Sequence, residues 1–237
     1  MLSTSNHAQF SDAIGVGSYT AGEAARLLGT SAVNINRWLR GYRFRRKGEE
    51  HYVPPLWKSQ HAEIHEHLEI GFRDLIELRF VNAFVDAGVG PLAIRNCLNY
   101  ARQQVNDDRP FSTQRFRTDG RTIFLESAVR SKEPRLLDLK RRQYVFKQVI
   151  ERTFKDLDIE DHAVARWRPF NGKRSIVIDP ARAFGQPIAS EFGIPTVTLA
   201  DAVQAEGSIE RVARLFEVST ASVRDAVQFE QSLLIAA

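Results

Sequence analysis

Apolar positions fall at helical spacing from residue 20 onward. Ala21, Ala24, Ala25 and Leu28 lie at i, i+3, i+4 and i+7, which puts small apolar side chains on one face of a short helix. Thr20 is placed to cap that helix and Glu23, three residues on, to complete a capping box. Gly29-Thr30-Ser31 breaks the pattern. Ser31 then caps a second helix to about Arg40, stopped by Gly41, with Ile35, Trp38 and Leu39 inward and Trp38 as the large core residue. Two short helices across a tight glycine-containing turn form the helix-turn-helix pattern. Two β-prone runs between Tyr42 and Val53, on either side of Lys47-Gly48, predict a hairpin or wing.

Past Pro54-Pro55, a long amphipathic helix is expected from about Phe72 to Ala87, with Leu75, Ile76, Leu78, Phe80 and Val81 packing, and another from Leu92 to about Val105. A hairpin is expected over Arg115 to Leu125, turning at Asp119-Gly120 between alternating runs. Leu136 to about Phe154 reads as helix, and Arg166-Trp167 and Ile176 to Ile178 as strands across Asn171-Gly172. Asp179-Pro180 marks a boundary. Past Gly193-Ile-Pro195 the pattern is helical: Val197 to Ala205, a helix capped at Gly207-Ser208 through Phe216, and Ala221 to about Leu234 with Val223, Val227 and Leu234 inward. The expected fold is mainly α with short β-hairpins. It divides into a flexible tail (1–17), a winged helix-turn-helix DNA-binding head (18–60), a middle α/β connector (61–178) and an all-helical C-terminal module (179–237).

Charge changes this picture by its placement rather than its total, which is only +4 over 237 residues. From Arg26 to Lys47 there are seven basic residues and no Asp or Glu, whereas from Ile176 onward there are four basic residues against eight acidic ones. The two ends of the chain should therefore meet different partners. Residues Met1 to Gly17 carry no basic stretch followed by an apolar run, and no segment approaches the roughly 20 apolar residues of a membrane span. A soluble, cytoplasmic protein with no membrane partner is the expectation. The single cysteine, Cys97, sits in a helical apolar pattern and reads as a packing residue.

In a helix-turn-helix the second helix enters the major groove, so Ser31, Asn34, Asn36, Arg37 and Arg40 are the candidates to meet DNA. Arg suits guanine and Asn suits adenine through paired hydrogen bonds, while Ser offers a short hydroxyl. The wing would add Arg43, Arg45, Arg46 and Lys47 for phosphates, with Tyr42 and Phe44 as apolar support. His61 to Glu69 gathers three His and three Glu but lacks an ordered ligand spacing, so a solvated polar segment is favoured over a metal site. The acidic run Asp156 to Asp161 reads as a helix-end and loop feature. No phosphate-binding glycine loop, nucleophile elbow or dinucleotide fingerprint is present, so neither a cofactor nor an enzymatic activity is expected.

Tyr19 to Ser31 with Arg37-Trp38 resembles the helix-turn-helix of mercury-resistance-type (MerR-like) regulators. Phe72 to Gly88, Arg115 to Gly120, Gln143-Tyr-Val-Phe146 and a set of tail motifs resemble VapB-type antitoxins that join such a head to a small C-terminal module. The tail motifs are Ile178-Asp-Pro180, Phe184-Gly-Gln-Pro-Ile188, Gly193-Ile-Pro-Thr196, Ala205-Glu-Gly-Ser208 and Val223-Arg-Asp-Ala226. Ala189-Ser-Glu-Phe192 departs from the Gly-Thr-Arg-like stretch of short members. The resemblance implies a homodimeric repressor of its own operon, acting as antitoxin in a type II toxin–antitoxin system and pairing with a PIN-domain ribonuclease toxin. The alternatives are a stand-alone MerR-like transcriptional regulator with an effector-binding middle region, and a metal-dependent hydrolase using His61 to Glu69.

Overall fold

In a computed structural model, which describes residues 15–61, 68–130 and 139–235, the first helix starts as its capping residues dictate. Thr20 accepts from the Glu23 backbone N–H at 3.2 Å, and the Glu23 carboxylate accepts from the Thr20 N–H at 2.8 Å. That reciprocal pair satisfies two donors a helix start leaves open. Strand β1 (Tyr19–Thr20) leads into α1 (Ala21–Leu28), Gly29 ends it, and Ser31 caps α2 (Ala32–Arg40). Strands β2 (Tyr42–Arg46) and β3 (Glu49–Val53) pair antiparallel, with Arg45 opposite Glu50 and Arg46 opposite Glu49. Strand β4 (Glu69–Ile70) pairs back onto β1.

Helices α3 (Phe72–Asp86), α4 (Pro91–Val105), α5 (Gln114–Arg130) and α6 (Leu139–Phe154) follow, with a 3-10 turn at Pro110–Ser112 between α4 and α5. Five short strands then form an antiparallel meander in chain order: β5 (Leu157–Glu160), β6 (Ala163–Trp167), β7 (Ile176–Ile178), β8 (Pro187–Ala189) and β9 (Ile194–Pro195). Helices α7 (Thr196–Glu206), α8 (Ile209–Leu215) and α9 (Thr220–Ile235) complete the described chain. The expectation of a mainly helical fold with short hairpins holds, including the β6 and β7 strands across Asn171-Gly172.

One apolar core runs from Tyr19 in β1 through α3 to α6 and on to Ile178 in β7, so α1 and α2 pack on the same core as the middle helices. Its centre is aromatic. Phe84 stacks on Phe146 at 4.1 Å between ring centroids, Phe146 stacks on Phe124 at 3.8 Å, and Phe80 meets Phe154 at 4.9 Å. A second, smaller core joins Ala189 to Leu199, Val212, Val223 and Ala226.

Several expectations fail for identifiable reasons. The hairpin over Arg115 to Leu125 is instead the middle of α5. Phe116, Gly120, Ile123, Phe124, Ser127 and Ala128 are buried at helical spacing, and that period overrides the local Asp-Gly turn preference. Gly120 serves close packing there, because a Cβ would come within 2.9 Å of Ile150 Cδ1. Helix α3 is not amphipathic: it is buried nearly all round, Asp74 and Glu77 included, because helices and the 3-10 turn cover several of its sides. Most of the acidic run Asp156 to Asp161 is strand β5. Asp158 pairs with Arg168 at 2.6 Å and Glu160 with Arg166, so the sheet is laced by ion pairs. The C-terminal module is not all-helical, since β8 and β9 bind it to the sheet. Leu234 faces out, 73% exposed, and Ala226 and Phe229 take the inward positions.

Glu77 lies wholly inside the protein, accepting from the backbone N–H groups of Ser112 at 2.7 Å and Phe111 at 3.3 Å. Burial pushes its carboxyl up to about 8 from the usual 4.5, against the downward pull of those donors and Arg73. Between those two values the folded chain holds a proton that the unfolded chain has released. Stability should therefore fall as pH rises through that window and level off above it. Urea unfolding across the window checks this: the midpoint of the parent should drop with pH more steeply than that of Glu77→Gln, and parallel slopes would reject it.

Candidate nucleic-acid interface

Helix α2 turns Ile35 and Leu39 inward and presents Val33, Arg37 and Arg40 on the opposite side. Val33 is 59% exposed, an apolar side chain at the middle of that face which charge-based reading passes over. Helical phase is the signal that would have found it. Ser31 is exposed, but its hydroxyl accepts from the Asn34 N–H at 3.2 Å as the helix cap. Asn34 and Asn36 are half-buried. Their side-chain amides donate locally, Asn34 to Thr30 Oγ1 in the preceding turn at 3.2 Å and Asn36 to the Ala32 carbonyl at 2.8 Å. The outward face therefore rests on Arg37 and Arg40 more than on the two asparagines. Trp38 is only partly buried and packs against the core edge rather than filling its centre.

The hairpin projects from the end of α2. Gly41 adopts φ +74, and a Cβ there would collide with the Val53 carbonyl oxygen, so helix end and hairpin base meet at the closest approach a backbone allows. Tyr42, Arg43, Phe44, Arg45, Arg46 and Lys47 are all exposed. Arg37 lies 5.4 Å over the Tyr42 ring, joining helix and strand, and Phe44 stacks on His51 at 5.1 Å. The positive field is weaker than the run to Lys47 suggests. Glu49 and Glu50, just beyond that window, face Arg46 and Arg45 across the ladder, and Glu50 reaches Arg43 at 3.5 Å. Such exposed pairs contribute little stability, yet they halve the hairpin's net charge, four bases against two acids.

The connector after the hairpin is fixed to the core. The buried Asp74 carboxylate accepts from Trp57 Nε1 at 2.9 Å, Ser59 Oγ at 3.1 Å, the Gln60 N–H at 2.6 Å and Arg109 Nε at 2.6 Å. Arg95 donates to the carbonyls of Pro54 and Pro55, and Arg102 to that of Leu56.

Of the stretch His61 to Glu69, the interior lies outside the described residues. His61 Nε2 is 2.8 Å from the Gly17 carbonyl, and Glu69 accepts from the Ser18 hydroxyl at 2.5 Å. Among the described residues no cluster of His, Cys, Asp and Glu is arranged to hold a metal, and no helix is long and apolar enough to cross a membrane. Cys97 is buried, and burial pushes its thiol up, away from the reactive thiolate.

An exposed basic helix and hairpin thus sit on an aromatic helical core that also carries a C-terminal module with an excess of acids. No family model matches the chain. It is similar to a protein of Mycobacterium tuberculosis named "Putative antitoxin VapB45", at 28% identity in an alignment of 221 residues that covers 88% of this chain and 92% of that protein. The crystal structure of Rv2018 from Mycobacterium tuberculosis is also similar, with a TM-score of 0.70 at 26% identity over 88% of this chain and 96% of that chain. The likeness thus spans most of this chain rather than one module.

The Gly41 geometry generates a contrast in stability. Gly41→Ala combines positive φ with a backbone collision and should cost about 2–3 kcal/mol. Gly29→Ala, with φ +62 and nothing within 4 Å of the new methyl, should cost roughly 1 kcal/mol. Thermal unfolding of the two variants measures the difference, and equal losses would contradict the close approach at the hairpin base.

Proposed function

We propose that this chain is a DNA-binding transcriptional repressor serving as the antitoxin of a type II toxin–antitoxin pair. In this reading α1 and α2 with the β2–β3 hairpin are a winged helix-turn-helix. Arg37 and Arg40 face the major groove, with Ser31, Asn34 and Asn36 flanking them, while Tyr42, Arg43, Arg45, Arg46 and Lys47 lie along the phosphates. A homodimer reads two half-sites, which multiplies affinity over what one small head achieves. The C-terminal module, with its excess of acids, engages a protein partner, a PIN-domain ribonuclease toxin, rather than a second stretch of DNA.

The observation that carries the DNA half is the shared exposure of Arg37 and Arg40 on α2 with the basic strand β2 beside them. The antitoxin half is supported by the likeness to a protein bearing that name. A stand-alone MerR-like regulator is the second reading, favoured by a cavity of about 400 Å3 beside α2.

Gel shifts on the DNA upstream of the gene, titrated with salt, test the reading. Arg37→Glu and Arg45→Glu should each weaken binding by about tenfold or more and lower the log–log salt slope by about 1. Parent-like binding by both variants would reject it. Co-expression with the neighbouring gene separates the two readings: a captured ribonuclease supports the antitoxin, and operator binding with no captured ribonuclease supports the stand-alone regulator.

A further inference from the structure

The cavity beside α2 has three walls of different origin. Asn34, Arg37 and Trp38 come from α2, Tyr42 and Val53 from the hairpin base, and Val85, Leu92 and Arg95 from α3 and α4. Its floor is the core itself, since Leu56, Val81 and Ile94 are 8%, 1% and 2% exposed. The mouth leaves Val85 39% and Leu92 55% exposed, apolar side chains held open to water around a concavity. A volume of about 400 Å3 lies in the roughly 300–1,000 Å3 range of small-molecule sites.

Its charged groups have one sign. Arg37 and Arg95 stand in the lining and, among the described residues, no Asp or Glu does. Arg95 is held in place by donating to the Pro54 and Pro55 carbonyls at 2.7 and 2.9 Å, two of the five donors a guanidinium carries. Arg37 lies 5.4 Å over the Tyr42 ring, and among the described residues no carboxylate forms an ion pair with it. Fixed guanidiniums above an apolar floor match a molecule with an apolar body and an anionic head.

We infer that this cavity binds a small, largely apolar anion, such as an aromatic or short aliphatic carboxylate, and that its occupancy is sensed by α2 and the hairpin. The second half rests on the reading of α2 as the DNA-facing helix. A ligand that engages Arg37 draws on the same side chain the groove would use, and one that packs on Trp38 and Tyr42 presses on the joint between helix and hairpin. Ligand and DNA are thereby coupled through shared groups, and the coupling is reciprocal.

The test uses the full chain with 1-naphthoate as probe and 1-naphthylmethylammonium, of like shape and opposite charge, as its control. Titration calorimetry should show naphthoate binding, with the cation weaker by about tenfold or more. Val85→Trp, which fills the mouth from an exposed position, should remove naphthoate binding. Leu92→Glu, exposed and therefore tolerated by the fold, should weaken naphthoate and strengthen the cation. Equal affinity for the two probes, undiminished naphthoate binding in both variants, or no naphthoate binding by the folded parent would each overturn the site. Saturating naphthoate should also change the parent's gel-shift affinity, and an unchanged affinity would overturn the coupling. If the parent bound no DNA at all, the proposed function would fail while the probe titrations still decided the cavity.

Discussion

Asp74 is the anchor on which the placement of the basic surface depends. A carboxylate with no exposed area is destabilising unless its oxygens are satisfied, and here four donors converge on it from two parts of the chain. Three of those donors, on Trp57, Ser59 and Gln60, belong to the connector that follows the hairpin. The fourth, Arg109, comes from the segment leading into the 3-10 turn. Asp74 also sits in the first turn of α3, where the helix dipole favours a negative charge. The Gln60 side chain returns the contact by accepting from the Asp74 N–H at 3.2 Å, supplying a cap that Gly71 lacks.

Because the connector is pinned, so is what precedes it. The Leu56 N–H donates to the Trp38 carbonyl at 2.7 Å, which ties the last turn of α2 to the same segment. Arg95, Arg102 and Arg109 hold the carbonyls of Pro54, Pro55, Leu56 and Lys58. Carbonyls on an extended connector need partners, and guanidinium groups from the middle of the chain provide them. The helix and hairpin that carry Arg37 to Lys47 therefore have their orientation set by residues 74 to 109, and segments far apart in sequence form one mechanical unit.

The C-terminal module is docked onto β1 and α1 of the same unit. The Ser18 N–H donates to the Phe184 carbonyl at 3.1 Å and the buried Tyr19 hydroxyl to the Gly185 carbonyl at 2.7 Å. Leu27 of α1 and Leu233 of α9 pack on the small cluster of Phe170, Ile176 and Phe229. Residues 183 to 185 all take positive φ, two of them without being glycine, so this contact is made by a backbone held in an unfavoured conformation. Strain of that kind persists only where surrounding structure enforces it. A partner that moved α9 or the 183–185 turn would thus act directly on α1, whose C-terminal turn leads into α2.

The local elements were legible in the sequence wherever one short-range rule governed them. Thr20 with Glu23, Ser31, Gly41 and the turn at Lys47-Gly48 each announce a boundary through their own chemistry, and the structure has them. What failed depended on neighbours distant in the chain. Asp119-Gly120 signals a turn to anyone reading four residues, but Phe116 packs on Phe80 and Phe111 and Phe124 on Phe146, and burying that face outweighs the preference. Asp74 and Glu77 look like the polar face of a surface helix until the 3-10 turn and connector supply their donors. The candidate site shows the same division. The exposure of Arg37 and Arg40 followed from helical phase, and that of β2, exposed on both faces, from its basic composition rather than from strand alternation. The capture of the Asn34 amide by the preceding turn and of the Asn36 amide by its own helix, and the opposition of Glu49 and Glu50 to Arg46 and Arg45, follow from geometry that only a folded backbone provides. Charge counted along a chain overstates a field that the strand ladder brings back toward neutrality.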